Sequence, residues 1–475
     1  MPGLYAALSS SVSAMAAQSV AISTTGNNLA NVNNPSYARE TVDLGDLGEV
    51  QTPSGPESMG LVAKSVQEVR DSLLDSQVRN ADSQVSYYST LQSAYQQAQA
   101  ALGQTVGTDA TSSTTDASPS VSDSGIGASL DGLFNAFQSY AADPTNSGTQ
   151  QALLQSASTL TDELQSTDAS LAQIQTGLTT QAQGDVTSTN SLLSQIAGLN
   201  TQINQIEANA PGTATDLRDQ RESDLETLAN TMPISVTENA QGEDTVTAPD
   251  ANGHPVTLIS QGSVTNALSF NATTNQVSAG STVLGLTSGS LQGSIDAGTQ
   301  GIQTLRDNLN ALSDELVTSV NAAYNPSGTG NDFFSASGTT AATISLDPSL
   351  TASNLQAGPA GGSDNTTALA VANLATQNFS TASGDAIDGT FDTYYDGAVS
   401  GFGQTLSGVN SQVTDQTSIQ TIVTNQREAV SGVNLDEEMS NLLMYQRSYE
   451  ASAQVFQTVD SLLDNVVNTM GVVTT

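Results

Sequence analysis

The chain has 475 residues, enough for two to four domains at roughly 100–200 residues each. Apolar residues make up 37%, aromatics only 4%, and Trp is absent, so long helices packed side by side suit the composition better than one thick core. With 47 acidic against 9 basic residues, a net charge of −38, the chain lacks the Lys and Arg that neutralise phosphates; this excludes a nucleic-acid binder and disfavours anionic membrane surfaces.

Residues 1–38 carry no charged side chain; the first is Arg39. Ser, Ala and Asn interrupt every apolar stretch, so the reading is of no cleaved secretory signal, and export would use another route. Leu4, Tyr5, Leu8, Val12, Met15, Ile22 and Leu29 predict a helix with one apolar stripe, Leu8, Met15, Ile22 and Leu29 being seven apart. It should stop near Asn33-Asn34-Pro35, where Pro removes a donor. Residues 41–60 hold several Gly and Pro and read as loop or short strand. Residues 61–102 read as a helix through Leu74, Val78, Ala81, Val85, Tyr88, Leu91, Tyr95, Ala98 and Leu102. Residues 108–124 are Ser/Thr/Asp/Gly-rich and read as a flexible connection.

The longest helical signal runs from 153 to 206, from Leu153, Ala157, Leu160 and Leu164 through Leu171, Leu178 and Ile196 to Ile203 and Ile206. Gly177, Gly184 and Gly198 weaken it and mark where it would break. Asp216, Asp219, Glu222, Asp224 and Glu226, with Arg218 and Arg221, read as a solvated helical face. Residues 232–300 switch to period two, with Ile234/Val236, Val246, Val256/Leu258 and Leu268/Phe270 separated by turns such as Asp250–Gly253; this predicts an inserted antiparallel β domain. Residues 302–323 and 402–430 return to helical spacing. Residues 326–365, with a strand candidate at Thr343–Leu346, either extend the β domain or form a loop. At the end, Leu435, Leu442, Tyr449, Phe456, Leu463 and Met470 form an unbroken seven-residue series, with Tyr445, Val459 and Val466 three after its members. Asn434 or Ser431 would cap this helix, with Asp436, Glu437 and Glu438 against its positive end.

The expected fold class is mainly α with an inserted β domain, the long N- and C-terminal helices paired in a coiled-coil-like bundle. The expected divisions are a terminal helical assembly domain (1–40 plus 431–475), a long-helix bundle (41–231 plus 301–325 plus 366–430), and the β insertion (232–300, with 326–365 as an extension or a loop).

Groups for chemistry are sparse. No Cys means no disulfide, zinc–thiolate site, iron–sulfur cluster or Cys nucleophile. The single His, His254, sits in a turn-like Asn252-Gly253-His254-Pro255 and reads as a surface residue. The only Lys, Lys64, follows Ala63, so there is no P-loop, and Gly401-Phe402-Gly403 opens no βαβ unit. Asp43, Asp46 and Glu49 lack the spacing of a calcium loop. No run of about 18 apolar residues exists, so no membrane insertion is expected. No catalytic residue, cofactor or metal is assigned; the chain reads as a non-enzyme.

Two terminal segments carry a resemblance. Asn27-Asn28-Leu29-Ala30-Asn31-Val32-Asn33-Asn34-Pro35-Ser36-Tyr37 resembles the N-terminal signature of the bacterial flagellar rod, hook and hook-associated axial proteins, with Asn34 and Ser36 where that family usually has Thr and Gly. Ser431-Gly432-Val433-Asn434-Leu435-Asp436-Glu437-Glu438, then Asn441 to Tyr449, resembles the family's C-terminal helix in the form closest to its hook-associated members. Leu217–Arg221, Leu305–Asn310 and Thr390–Tyr395 resemble the helical domain of those members; the similarity fades across 232–300 and 326–365.

The resemblance implies a structural adaptor of the flagellum that joins hook to filament. It would be exported unfolded by the type III apparatus and would act outside the cell, having been cytoplasmic before export. The implied partners are hook protein, the second hook–filament junction protein, further copies of itself in a ring, and a cytoplasmic export chaperone on the C-terminal helix. The expected assembly residues are Leu8, Met15, Ile22, Asn27, Asn28, Leu29, Asn31, Pro35 and Tyr37 at one end. At the other they are Leu435, Leu442, Tyr445, Tyr449, Phe456 and Leu463, and the chaperone would cover Leu442, Tyr449, Phe456 and Leu463. From the residues alone, the stripes fit an intramolecular core as well as a subunit contact, and Asn27, Asn28 and Asn31 fit turn caps as well as intersubunit bonds. The alternatives are another axial protein, hook or distal rod, and a secreted enzyme or adhesin carried on a flagellar scaffold.

Overall fold

The computed structural model describes residues 2–52, 55–103, 125–208, 210–361 and 363–470. The first helix, α1 (Pro2–Ala30), ends as expected just before the Asn-Asn-Pro turn. A folded-back antiparallel ribbon follows: β1 (Glu40–Asp46), β2 (Glu49–Thr52), β3 (Gly55–Ser58) and β4 (Leu61–Glu68), with β1 on β4 and β2 on β3. Residues 61–68 are therefore strand, where a helix was expected from 61 onward. Residues 61–68 pair with β1 along their length, and the helical spacing begins only at Leu74. Helix α2 (Ser72–Ala101) starts at Asp71, whose carboxylate accepts from the N–H groups of Leu73 and Leu74. The expected connection at 108–124 lies outside the described residues.

Helix α3 (Ile126–Ala142) was not anticipated. After it, α4 (Ser147–Glu207) runs unbroken for 61 residues, about 90 Å at 1.5 Å per residue. Gly177, Gly184 and Gly198 do not interrupt it. Leu178, Ala182, Val186, Ala197 and Leu199 around them are buried, and this packing outweighs a propensity cost of about 1 kcal/mol per Gly. Helix α5 (Thr215–Thr231) turns back along it.

The β insertion comprises β5 (Ser235–Glu238), β6 (Asp244–Pro249), β7 (Pro255–Ser260) and β8 (Ser263–Val264) in one antiparallel sheet. A second sheet holds β9 (Leu268–Asn271), β10 (Gln276–Ala279) and β11 (Thr282–Val283). The insertion ends there. Residues 289–300, expected as β, form α6 (Gly289–Asp296) and a π-helical turn (Ala297–Gly301) leading into α7 (Ile302–Tyr324). Its four glycines hid the helical period. Gly301 is needed because a Cβ there would lie 2.3 Å from the Tyr95 ring. Residues 326–365 are irregular, with one bridge between Phe334 and Leu346 at the strand candidate. They pack on the helical body, not on the β insertion, through Phe333, Phe334 and Ile344. Helices α8 (Thr366–Asn373), α9 (Phe391–Ser431) and α10 (Leu435–Met470) complete the chain.

Helix α4 is the spine of two cores. Leu153, Leu160, Leu164 and Leu171 lie in the first, with α2, α3, α7 and α9. Ala182, Val186, Leu193 and Ile196 lie in the second, under the β insertion and α5. The scarce aromatics are concentrated: six of the nine Phe (Phe134, Phe137, Phe333, Phe334, Phe379 and Phe391) meet in stacked, tilted and edge-to-face pairs at 4.8–5.6 Å at one end of the first core. Among the described residues, no helix is long and apolar enough to cross a membrane.

One backbone position ties α5 to α6. Gly289 has φ +87°, and a Cβ there would sit 2.3 Å from the Thr231 carbonyl oxygen. Gly289→Ala should lower unfolding stability by about 2–3 kcal/mol in a urea titration. An unchanged midpoint would show that this contact does not hold the second core closed.

Candidate assembly interface

The terminal helices pack on each other: α1 lies between α10 and the β1–β4 ribbon. Covered on two sides, α1 buries Ser11, Ala17, Gln18, Ala21, Thr24, Thr25 and Asn28. These side chains are small or polar, which lets the neighbours approach closely. The apolar stripe Leu8, Met15, Ile22 and Leu29 is half-buried along the flank of that seam. On α10, Leu442, Tyr445, Phe456 and Leu463 are half-buried and Val459 is buried, while Leu435 and Tyr449 are exposed. The side chain of Met470 lies outside the described ones.

Much of α10 remains uncovered. At 100° per residue, Leu435, Met439 and Leu443 project from one flank of the seam and Met444, Val455 and Leu462 from the other; all are 44–53% exposed. A helix apolar around so much of its circumference asks for more than one partner.

The base of this pair is polar and closed. The Asn28 side chain donates to the Glu40 carbonyl (2.9 Å) and to Glu438 Oε2 (3.1 Å), and accepts from the Tyr37 hydroxyl (2.8 Å) and the Glu40 N–H (2.9 Å). All four hydrogen-bonding positions of the amide are thus used, within one chain. Asn28 thereby ties α1 to the turn, to β1 and to α10. Arg39 adds bonds to Glu438 (3.0 Å) and Glu437 (2.8 Å). Asn434 caps α10, its Oδ1 accepting from Asp436 N (3.0 Å). Asn31 donates to the Asn27 carbonyl (3.1 Å), a local turn bond, and Asn27 is exposed.

The terminal module of α1, ribbon and α10 meets the body at α5. The Ala38 N–H donates to Asp219 Oδ1 (3.1 Å), Ser36 donates to Glu226 (2.9 Å), and Arg427 donates to the Pro35 carbonyl (3.1 Å). Arg70 pairs with Asp219, with Glu68 (3.1 Å) and with Asp75 (3.6 Å); Arg79 pairs with Glu222; Arg427 pairs with Glu226 and, at 3.8 Å, with Asp75. The stretch read as solvated is therefore largely covered: Asp219, Arg221 and Glu222 are all under 9% exposed, Arg218, Asp224 and Glu226 are half-buried, and Asp216 is exposed. The pattern misled because buried ions alternate with the apolar Leu225 and Leu228 just as surface ions do. The other side of α5 points to the β insertion, where Arg221 meets Asp244 (2.8 Å) and Asn200 (2.9 Å), and Arg218 meets Glu207 (2.6 Å).

Burial pushes the Glu68 carboxyl up to about 7, against the pull of Arg70. It pushes Asp75 up to about 6, helped by the charge of Glu222, and Asp219 up to about 6, against Arg70. Burial likewise raises the Tyr37 hydroxyl and the Glu40 carboxyl.

Comparison with known proteins matches both ends and the helical interior. Three family models match: the flagellar hook-associated protein FlgK helical domain over residues 112–334, the flagellar basal body rod FlgEFG protein C-terminal over 425–470, and the flagella basal body rod protein over 8–37. Flagellar hook-associated protein 1 of Bacillus subtilis is 25% identical over 99% of each chain. The chain is thus similar to flagellar hook-associated proteins at both ends and through its helical interior. Flagellar hook-associated protein 1 of Salmonella typhimurium is 39% identical over 108 residues, 23% of this chain and 19% of that one. A solved structure, the flagellar hook junction protein FlgK from Burkholderia pseudomallei, aligns with 22% identity, 55% of this chain, 46% of that one and a TM-score of 0.45.

The ionic contacts through α5 were the part missed from sequence. A usable signal was present: with eight Arg in 475 residues, six fall at 39, 70, 79, 218, 221 and 427, in segments that meet at α5. Cations so rare are better spent on buried partners than on a solvated face.

Asn28→Ala should leave the Glu40 N–H and the Tyr37 hydroxyl without their acceptor, at about 1–3 kcal/mol for each group that stays dry. Trypsin should then cleave after Arg39 at least about tenfold faster. Asn28→Asp keeps the acceptor, loses both donors and sets a carboxylate against Glu438, so it should also speed cleavage, most at low salt. Native cleavage rates in both variants would show that Asn28 does not hold the terminal module.

Proposed function

We propose that this chain is a structural, non-catalytic adaptor that joins the flagellar hook to the filament. Copies associate in a ring through α1 and α10, with hook protein on one side and the second junction protein on the other. The chain is cytoplasmic before export and extracellular once assembled. An export chaperone covers Leu442, Tyr449, Phe456 and Leu463 of α10 before export. The domain division proposed is α1, the ribbon and α10 as the assembly module, the long helices as the body, and residues 235–283 as the insertion.

The observation that carries this reading is the exposed apolar surface on both flanks of α10. Within one chain, α1 covers only the seam between the flanks. Leu435, Met439, Leu443, Met444, Val455 and Leu462, each about half exposed, need cover from other chains, each still offering roughly half of the about 1.5–3 kcal/mol of a fully buried side chain. The match to flagellar hook-associated protein 1 along nearly the whole chain supports the choice of axial member.

Antibody-gold electron microscopy on flagella of the native cells tests the location. A single narrow band between hook and filament is expected; label along the curved hook would overturn the junction assignment. Leu442→Asp or Phe456→Asp places a charge in the α1–α10 seam. Either should leave the body folded by circular dichroism and abolish filaments. Full filaments on cells carrying either variant would remove α10 from the assembly interface.

A further inference from the structure

We propose that the joint between the terminal module and the body is a proton-dependent clamp, closed in mildly acidic medium and loosened at neutral pH and above. The geometry is a cluster with more acids than bases. Four guanidiniums (Arg39, Arg70, Arg79, Arg427) face seven carboxylates in ion pairs. Three of those carboxylates, Glu68, Asp75 and Asp219, converge on the one guanidinium of Arg70, and their side chains are 3–10% exposed. Each has one buried oxygen with no hydrogen-bond partner among the described residues: Glu68 Oε1, Asp75 Oδ1 and Asp219 Oδ2. A carboxylate oxygen buried without a donor is where a proton settles, because the neutral acid avoids the desolvation cost of the ion.

Every element around the cluster adds to the same balance. From the turn come Tyr37 and Arg39, and from β1 Glu40. From α2 come Asp75 and Arg79. Helix α5 presents Asp216, Asp219, Glu222 and Glu226 with Arg218, and the ends of α9 and α10 present Arg427, Glu437 and Glu438. The sign follows from linkage. An unfolded Asp or Glu titrates near 4, whereas Glu68, Asp75 and Asp219 hold their protons to about 6–7 in the closed joint. Between these values the closed form binds more protons than the open one, so stability falls as pH rises from about 4 to 7. A cleft of about 760 Å³ already opens beside the cluster, between residues 31–39 and 427–437, so water has a path in as the joint loosens.

A global melt would not isolate this effect. Asp392, buried near Asp131 and Asp396, is pushed up to about 6 far along the chain in the first turn of α9. A net charge of −38 also makes the whole chain repel itself as pH rises. A local distance is needed, and the absence of Cys allows clean labelling. Nitroxides at Gln67→Cys on β4 and Ser223→Cys on α5, both exposed, span the joint in the full chain. Pulsed electron spin resonance should give one narrow distance at pH 5. At pH 8 it should show a longer component about tenfold more populated, and this response should survive ~0.5 M salt, which screens surface repulsion but not the buried cluster. Glu68→Gln with Asp219→Asn keeps the shapes and removes two of the three titrating carboxyls, leaving Asp75, so the longer component at pH 8 should be far less populated than in the native chain. If the double variant fails to fold, Glu68→Gln alone should reduce the response. An unchanged distribution between pH 5 and 8, or amide variants that follow the native chain, would overturn the clamp. The hook–filament assignment would stand in either case, since it rests on the gold label and not on this distance.

Discussion

The architecture depends on one buried polar contact, helix α5 wedged between the terminal module and the β insertion. One side of α5 holds Asp219, Glu222 and Glu226 toward Ala38, Arg70, Arg79 and Arg427; the other holds Arg218 and Arg221 toward Glu207 and Asp244. Taking these ions out of water is costly, and pairing offsets that cost only when the geometry is good. Leucines in their place would pack with less demand on orientation. The ions fix direction: each pair closes only with α5, the turn at 35–39 and the end of α9 in one arrangement. For a chain that presents its first and last helices side by side, orientation matters more than raw stability.

The body supplies what the wedge cannot. Helix α4 carries both cores, so the two ends of the molecule are coupled by a single rod and not by a domain interface. Its first half is packed by Leu153, Leu160 and Leu164 against an aromatic cluster, and its second half by Leu193 and Ile196 under two small sheets. A chain with 4% aromatics cannot fill a thick core everywhere. It concentrates Phe at one end and relies on Leu and Ala along thin helical layers elsewhere. The small Ala and Gly positions allow close approach at α6 and the π-helical turn, where Gly293 meets the Tyr87 backbone and Gly301 meets the Tyr95 ring.

Legibility from sequence followed the length of each signal. The α4 register, sustained over some fifty residues, was plain, as were the seven-residue series of α10 and the stop at Asn34-Pro35. The strand β4 was absorbed into the following helix because eight residues of mixed Val, Ala and Ser carry no decisive period. Helix α3 was passed over beside a low-complexity stretch, although Leu130, Leu133, Phe134 and Phe137 have helical spacing. The glycines at 289, 293, 298 and 301 disguised a helix as turn. The α5 site was hidden for a different reason: charge pattern does not distinguish an ion facing water from an ion facing another ion. The sequence shows the stripe of α1, but the most buried positions of the helix are Ala17, Ala21 and Asn28, followed by polar Thr25, Thr24, Ser11 and Gln18, because contact on two sides decides burial there more than hydropathy does.

That last difference bears on how a terminal pair can be both placed and adaptable. The α1 face of the seam is small and polar, with Ser11 and Thr25 bonded back to their own helix. Position within the pair is set at its base, where Asn28 and Arg39 hold Glu438. Apolar side chains left on α10 are then free to be covered by whatever chain lies alongside, without first breaking a strong intramolecular core. A large apolar residue at position 18 or 25 would bind α10 more tightly and remove that freedom. Separating direction, held by hydrogen bonds and ions at the base, from affinity, left open along the helix, is what makes the pair suitable for joining unlike neighbours in the proposed adaptor.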